Sequence, residues 1–353
     1  MKRLLSLTVA AMIVVALIIT AAATGSGLAQ TPAKPGRTVQ WKFTIDWVFD
    51  GSYAPFLLAL EKGYYAAEGI SLTIDRGFGS ADAVSKVAAG AYNLGFADIN
   101  TMIEFNARNP GRDLIAVAVP FDALPSSIVT LRKEGITRPI DLYGKKLGAP
   151  AGSAPRVLWP LFAKAVGMHP ASVEWVTMSP PLREPMLLRG EVSAVAAFSF
   201  NAFITLKTAR VDPADIVIFP YNEYGLPLYG NAIIAPPSLL KDEPEALRGF
   251  VRAITRAWKD AVANPSEAIS SLKRRDPMIS EDVERERLVL ALQHVVLTKD
   301  VRSGGFGGVK GERLSRSIDL LAEAFSLPTK PAWQRVFSDK FLPPKSERML
   351  PAR

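Results

Sequence analysis

The chain switches repeatedly between two periodicities. Phe43, Ile45 and Trp47 alternate as on one face of a strand, and Pro55, Leu58, Ala59 and Lys62 then recur at helical spacing until Gly63 stops the helix. A second strand ends near Ile74, so Phe43 to Ile74 predicts a compact β-α-β unit. The same logic continues with a helix over Ala83–Ala89 closed by Gly90, and with a short buried strand at Leu94-Gly95-Phe96-Ala97. A helix then runs from Asp98-Ile99-Asn100-Thr101 to about Arg108, followed by a strand over Leu114–Val119. Four strands alternating with three helices predict a mostly parallel sheet.

At Pro120-Phe121-Asp122-Ala123-Leu124-Pro125 two prolines break this rhythm and mark a crossing into a second unit. That unit repeats the pattern. Strands are expected at Ser127–Arg132, Lys145–Pro150, Val173–Met178, Val192–Phe198 and Asp215–Pro220. A helix opens at Gly152-Ser153-Ala154 and reaches Val166, and another covers Leu182–Leu188. Tyr224 to Gly230 reads as the return crossing before a strand at Ala232–Ala235. Four helices follow, over Glu245–Val262, around Ser266–Lys273, over Glu281–Val296 and over Arg313–Ala324. Val251, Ile254, Trp258 and Val262 share a face expected to pack back on the first lobe. The resulting division is a first lobe over 40–121 and 228–335, a second lobe over 122–227, and a tail over 336–353. About 320 residues exceed one ordinary core and fit two domains.

The first 29 residues read differently. Lys2 and Arg3 precede an apolar run from Leu4 to Ala23, and Gly27-Leu28-Ala29 supplies small residues for cleavage after Ala29. That is the order of a secretory signal peptide, with a retained membrane anchor as the alternative. Residues 30–39 form a leader. The chain contains no cysteine, which leaves no lipid-attachment site and no disulfide framework. The expected product is therefore a periplasmic protein that is not a lipoprotein. The formal charge is +8, and losing Lys2 and Arg3 leaves +6. Basic and acidic residues are interleaved rather than gathered in a stripe, which argues against nucleic acid as a partner.

Candidate chemistry gathers at strand ends. In an open α/β sheet, ligands bind at the carboxyl rim of the strands. The first rim carries Asp46, Trp47, Phe49, Asp50 and Tyr53. The turns Gly79-Ser80-Ala81 and Gly152-Ser153-Ala154 place a hydroxyl and unpaired N–H groups at helix starts, where an electron-rich group is favoured. Asp98, Asn100 and Thr101 form a third such start. Aromatic residues collect at the same rims, with Trp47, Phe49, Tyr53 and Phe78 in one lobe and Trp159, Phe198 and Phe200 in the other. Phe121 and Tyr224 lie at the crossings. Such faces can clasp a flat ring, although core packing needs the same residues. Catalysis has little to draw on. His169 and His294 are the two histidines, neither with a nucleophile beside it, and no metal-ligand spacing is present. The run Gly304 to Gly311 lacks the Gly-Lys-Ser/Thr ending of a phosphate loop and reads as a flexible connection that could touch the cleft. No catalytic residue, cofactor or metal is expected.

Ala59-Leu60-Glu61-Lys62-Gly63-Tyr64-Tyr65 with Glu68-Gly69-Ile70, and Asp141-Leu142-Tyr143-Gly144-Lys145-Lys146-Leu147-Gly148, carry a family resemblance. With them the chain resembles the solute-binding proteins of ABC importers for nitrate, sulfonates and thiamine-pyrimidine precursors, over essentially the whole mature length. The resemblance implies a type II periplasmic binding fold, with two α/β lobes closing on a solute. It further implies contacts from Trp47 to Tyr53, from Gly79 and Ser80, from Asp98 to Thr101, from Gly152 and Ser153, and from Phe198 and Ser199. Thiamine-precursor binders usually carry Asn and His after the first strand, where this chain reads Asp50-Gly51-Ser52-Tyr53. The related pyrimidine synthase uses a cysteine-rich motif that is absent here, which argues against an enzyme. The expected role is a monomeric receptor handing a small planar heterocycle to a permease in the inner membrane. An organic anion is the alternative solute, and a secreted enzyme on the same fold the alternative class. Asp46, Ser80, Asp98, Asn100 and Ser153 are the expected anchors beside Trp47, with Tyr224 at the crossing.

Overall fold

The computed structural model describes residues 38–351; the expected signal segment and most of the leader lie outside the described residues. The alternating segments form ten strands: β1 (Val39–Ile45), β2 (Ile70–Asp75), β3 (Leu94–Asp98), β4 (Ile115–Ala118), β5 (Ser126–Leu131), β6 (Lys146–Ala149), β7 (Glu174–Thr177), β8 (Ala194–Phe198), β9 (Ile216–Pro220) and β10 (Asn231–Ala235). They pair into two five-stranded sheets, ordered β2-β1-β3-β10-β4 and β7-β6-β8-β5-β9. β1 runs parallel to β2 and β3, and β6 parallel to β7 and β8. β10 is antiparallel to both neighbours, and so is β5. Both reversed strands are the ones the chain enters from a crossing. The mostly parallel expectation therefore holds in strand direction, but β4 pairs with β10, because the chain builds the second lobe before it returns between β3 and β4.

The first core forms because large apolar residues sit on matching faces. Phe43 and Phe56 lie edge-on at 5.2 Å, Phe56 and Phe96 at 4.9 Å, and Phe43 and Phe250 at 5.4 Å. Such pairs add about 0.5–1.5 kcal/mol each beyond the area they bury. Phe250 and Trp258 come from the long helix Pro244–Ala263, whose Val251, Ile254, Trp258 and Val262 are all buried. In the second lobe the expected helix from Ser153 to Val166 is interrupted at Leu158, giving Ala154–Val157 and Trp159–Ala165. Pro160 has no N–H to donate back to Arg156, which explains the break.

Two carboxyl-terminal helices do more than cover the first lobe. The helix Glu281–Ala291 packs against the single turn Gly51–Tyr53 and also against Ser199–Thr208 of the second lobe. At Leu292 it gives way to a π turn, Leu292–Val296, instead of running on as an α-helix. The helix Gly311–Phe325 touches both Ile99–Arg108 and Trp159–Ala165. After residue 335, Val336, Phe337 and Phe341 are buried, and the Ser338 N–H donates to the Ala116 carbonyl at 2.9 Å. No helix among the described residues is long and apolar enough to cross a membrane.

Candidate ligand-binding site

The carboxyl ends of β1 and β3 face those of β6 and β8 across a narrow cavity of about 20 Å³. The first lobe lines it with Asp46, Trp47, Tyr53, Gly79 and Ser80. The second lobe contributes Ser153, Ala154, Pro155, Arg183, Phe198 and Asn201. Half-buried Trp47 and Phe198 present the aromatic surface, as the rim pattern predicts.

Asp46 ties the first wall together. Its Oδ1 accepts from the Tyr53 hydroxyl at 2.8 Å, and its Oδ2 from Ser80 Oγ at 2.5 Å and Asn231 Nδ2 at 2.9 Å. Ser80 Oγ in turn accepts the Asp98 N–H at 3.1 Å. Burial raises the Asp46 pKa against these three donors, and burial followed by the Asp46 charge raises that of Tyr53. The phenol is therefore fixed as a donor. Ser80 is the first residue of the helix Ser80–Ala88, with Gly79 in the cap position. Ser153 does cap its short helix in backbone terms, but its hydroxyl donates to the Pro150 carbonyl at 3.0 Å instead of capping an N–H.

Asp98, Asn100 and Thr101 lie beneath the cavity rather than on its surface. Asp98 Oδ1 accepts the Thr101 N–H at 2.8 Å and its hydroxyl at 2.9 Å, while Oδ2 accepts Asn100 Nδ2 at 3.0 Å. Asn100 also donates to the Tyr229 carbonyl at 2.8 Å, which joins the cap to the second crossing. Burial pushes Asp98 up to about 7 although the Thr101 N–H pulls it down.

The lobes touch at several points. Ala81 N–H donates to the Gly152 carbonyl at 3.0 Å. Gly79 has φ 134°, and a Cβ there would lie 2.5 Å from that carbonyl oxygen. Asn201 Nδ2 donates to Asp50 Oδ2 at 2.6 Å. Behind this bond Arg287 pairs with Glu284 at 3.0 Å and donates to the Asn201 carbonyl at 3.0 Å, and Glu284 accepts the Gly51 N–H at 2.7 Å. Burial pushes Asp50 up to about 6, against the pull of Arg287 and with the push of Glu284. Arg183 lies over the Trp47 ring, 4.9 Å from its centroid.

Seven of the expected site residues therefore line the cavity: Asp46, Trp47, Tyr53, Gly79, Ser80, Ser153 and Phe198. Of the others, Gly152 forms the lobe contact, and Phe49 lies under the Arg275 guanidinium at 4.8 Å. Ser199 donates its N–H to the Pro125 carbonyl, and Tyr224 packs edge-on to Phe162 at 5.3 Å. Trp159, Phe121 and Phe200 are core residues, while Phe78 is exposed. His169 Nδ1 accepts the Ala171 N–H, and His294 is exposed on the π turn. The glycine run packs behind the first sheet, where the Val119 N–H donates to the Gly307 carbonyl at 2.9 Å. Arg183 and Asn201 are missing from the sequence-based set. The strand-end rule finds both when it is also applied to β7 and to the helix after β8.

The buried carboxylates set a pH dependence. A carboxyl whose folded pKa lies above its unfolded value of about 4 holds its proton more tightly when folded, so stability falls as pH rises between the two values. Asp50 and Asp98 place that window between about 4 and 7. Asp141, held down to about 2 by the Thr137 N–H and Arg138, acts in the opposite direction below it. The unfolding free energy from urea titrations is expected to decline from pH 4.5 to 7.5, and Asp98→Asn should flatten the decline. A rising or level wild-type profile would contradict this assignment.

A profile of the family described as NMT1/THI5 like matches residues 51–268, most of the two lobes. The chain belongs to the NMT1/THI5-like family. It is similar to the riboflavin-binding protein RibY of Chloroflexus aurantiacus, 24% identical over 86% of each chain. It is also similar to the formylaminopyrimidine-binding protein of Halalkalibacterium halodurans, 24% identical over 78% of this chain and 83% of that one. Other relatives are named 4-amino-5-hydroxymethyl-2-methylpyrimidine phosphate synthases. Among solved structures, the alkanesulfonate-binding protein SsuA from Xanthomonas axonopodis pv. citri, bound to MOPS, superposes with a TM-score of 0.67. The two are 16% identical over 86% of this chain and all of that one. The likeness establishes the periplasmic binding protein fold for this NMT1/THI5-like chain.

Proposed function

We propose that this chain is the solute-binding component of an ABC importer that captures a small planar heterocycle of the pyrimidine class between its lobes. The observation that carries the reading is the cavity between the two sheet rims, with Trp47 and Phe198 in its lining and hydrogen bonds from lobe to lobe beside it. The relatives named for riboflavin and formylaminopyrimidine binding support a ring as the solute. Exported by its signal segment and not lipidated, the protein works as a monomer in the periplasm. A permease in the inner membrane reads the closed arrangement, whose population the solute raises.

The protein binds its solute without converting it. Asp46 and Tyr53, the cavity groups best suited to move a proton, are hydrogen-bonded to each other and to buried partners. A second reading, an organic anion, is favoured by Arg183 in the cavity wall. Thermal denaturation with 4-amino-5-hydroxymethyl-2-methylpyrimidine, benzoate and ethanesulfonate separates the two. A ligand at 100 times its Kd stabilises the native state by about 2.7 kcal/mol, and the pyrimidine is expected to give the largest rise in Tm. Trp47→Ala should weaken its binding about tenfold or more, through lost stacking and lost burial, and should shift the ligand-free Tm little, since Trp47 is half-buried. Unchanged affinity in Trp47→Ala would remove that ring from the site.

A further inference from the structure

We propose that Arg183 reads a hydrogen-bond acceptor on the edge of the bound solute, so that the cleft favours a planar ring bearing a carboxylate or carbonyl there and rejects the same ring bearing a cationic amine. The inference rests on the ring reading of the cleft given above, and it narrows the class of ring.

Arg183 is 3% exposed, yet it lines the cavity between the lobes. Its neighbour Glu184, also buried, takes one side of the guanidinium. Nε and Nη2 both donate to Glu184 Oε1, at 2.9 and 2.7 Å. This pair fixes the plane of the group and neutralises much of its charge. The guanidinium then rests on the Trp47 ring at 4.9 Å, a cation–π contact that holds it at the cavity wall. Nη1 makes no hydrogen bond to any described residue, so the fork presents an open donor edge. That edge is the part of the guanidinium left for an acceptor entering the cavity.

The protein offers little to fill that role. The Asp46 carboxylate is engaged by Tyr53, Ser80 and Asn231, and the Gly152 carbonyl by Ala81. The acceptor is therefore expected from the solute. Because Glu184 already balances the charge, a neutral carbonyl suffices and a carboxylate adds a charge-assisted bond. A cationic amine at the same place would meet donors of its own sign. The first turn of the helix Ser80–Ala88, with Ser80 in the cavity lining, also favours negative charge.

The test is calorimetric titration of the mature protein with three 4-amino-2-methylpyrimidines that differ at position 5: carboxylate, hydroxymethyl and aminomethyl. Ethanesulfonate serves as an acceptor without a ring. The wild type is expected to bind the carboxylate at least about tenfold more tightly than the amine, a difference of about 1.4 kcal/mol. Arg183→Gln should erase most of that preference by weakening the carboxylate and strengthening the amine, which no longer meets a cation. Arg183→Lys should restore only part, because a single ammonium cannot hold Glu184 and the solute with the same fixed fork. If Arg183→Gln alone leaves Glu184 buried and unpaired and fails to fold, the double variant Arg183→Gln/Glu184→Gln removes both charges and is expected to show the same loss of preference. Equal wild-type affinity for the three rings, or a preference that survives the glutamine variants, overturns the proposal while the ring reading stands. Binding of ethanesulfonate but of no ring, lost in the double variant, removes the ring and upholds Arg183. Failure of every probe to bind the wild type counts against both.

Discussion

Replacing Gly79 by alanine is expected to cost solute affinity at least about tenfold in a protein that still folds. The reason is geometric. Gly79 sits at φ 134°, and its missing Cβ would lie 2.5 Å from the Gly152 oxygen and 2.6 Å from the Gly152 carbonyl carbon, both backbone atoms of the opposite lobe. A methyl group there opposes the Ala81–Gly152 hydrogen bond and the closure that depends on it. The backbone strain, about 1–3 kcal/mol, leaves a protein of ordinary stability folded. Gly152→Ala supplies the graded comparison. Its Cβ would meet the Ala81 side chain at 3.2 Å, without an unusual φ, and a shift of a few tenths of an ångström relieves it. Titration calorimetry on the two variants should show a large loss for Gly79→Ala and a smaller one for Gly152→Ala. Equal, wild-type affinities would show that solute binding does not require the lobes to meet at this point.

Arg287→Ala is expected to lower the unfolding free energy by about 3–5 kcal/mol, the cost of leaving buried charges without their partner. Arg287 and Glu284 are an almost fully buried pair, and Asp50 stands beside them. The truncation removes the cation between two carboxylates and the donor to the Asn201 carbonyl. Since these contacts join the helix Glu281–Ala291 to both lobes, solute affinity should fall as well. Arg287→Met combined with Glu284→Gln and Asp50→Asn removes the charges together and should recover part of the stability. A loss below about 1 kcal/mol for Arg287→Ala in urea unfolding, the range of an exposed pair, would contradict the role given to this cluster.

The two lobes and their crossings are legible because strand and helix periods alternate cleanly from Phe43 to Ala235. What the periods do not carry is which polar residues are buried by distant parts of the chain. Arg287 and Glu284 are spaced like an exposed pair on a helix, yet the helix wedges between the Gly51–Tyr53 turn and the second lobe. Gly51 permits that approach, since a Cβ there would lie 2.0 Å from the Glu284 carbonyl oxygen. Arg183 and Glu184 follow β7, none of whose residues is buried, so they look like surface charges, yet both are buried and Arg183 lies over the Trp47 ring. Asp98, Asn100 and Thr101 show the converse ambiguity. A helix cap and a ligand contact require the same residue types, and here the Asp98 oxygens, the Thr101 hydroxyl and Asn100 Nδ2 are engaged within the cap and the crossing, while the buried Asn100 Oδ1 has no partner among the described residues.

The central claim is reversible capture of a planar heterocycle between the lobes. It is tested most directly by titrating the mature protein with 4-amino-5-hydroxymethyl-2-methylpyrimidine in a calorimeter and examining the recovered compound by NMR. The prediction is saturable one-to-one binding with the compound returned unchanged. No binding, or a chemically altered product, would contradict it.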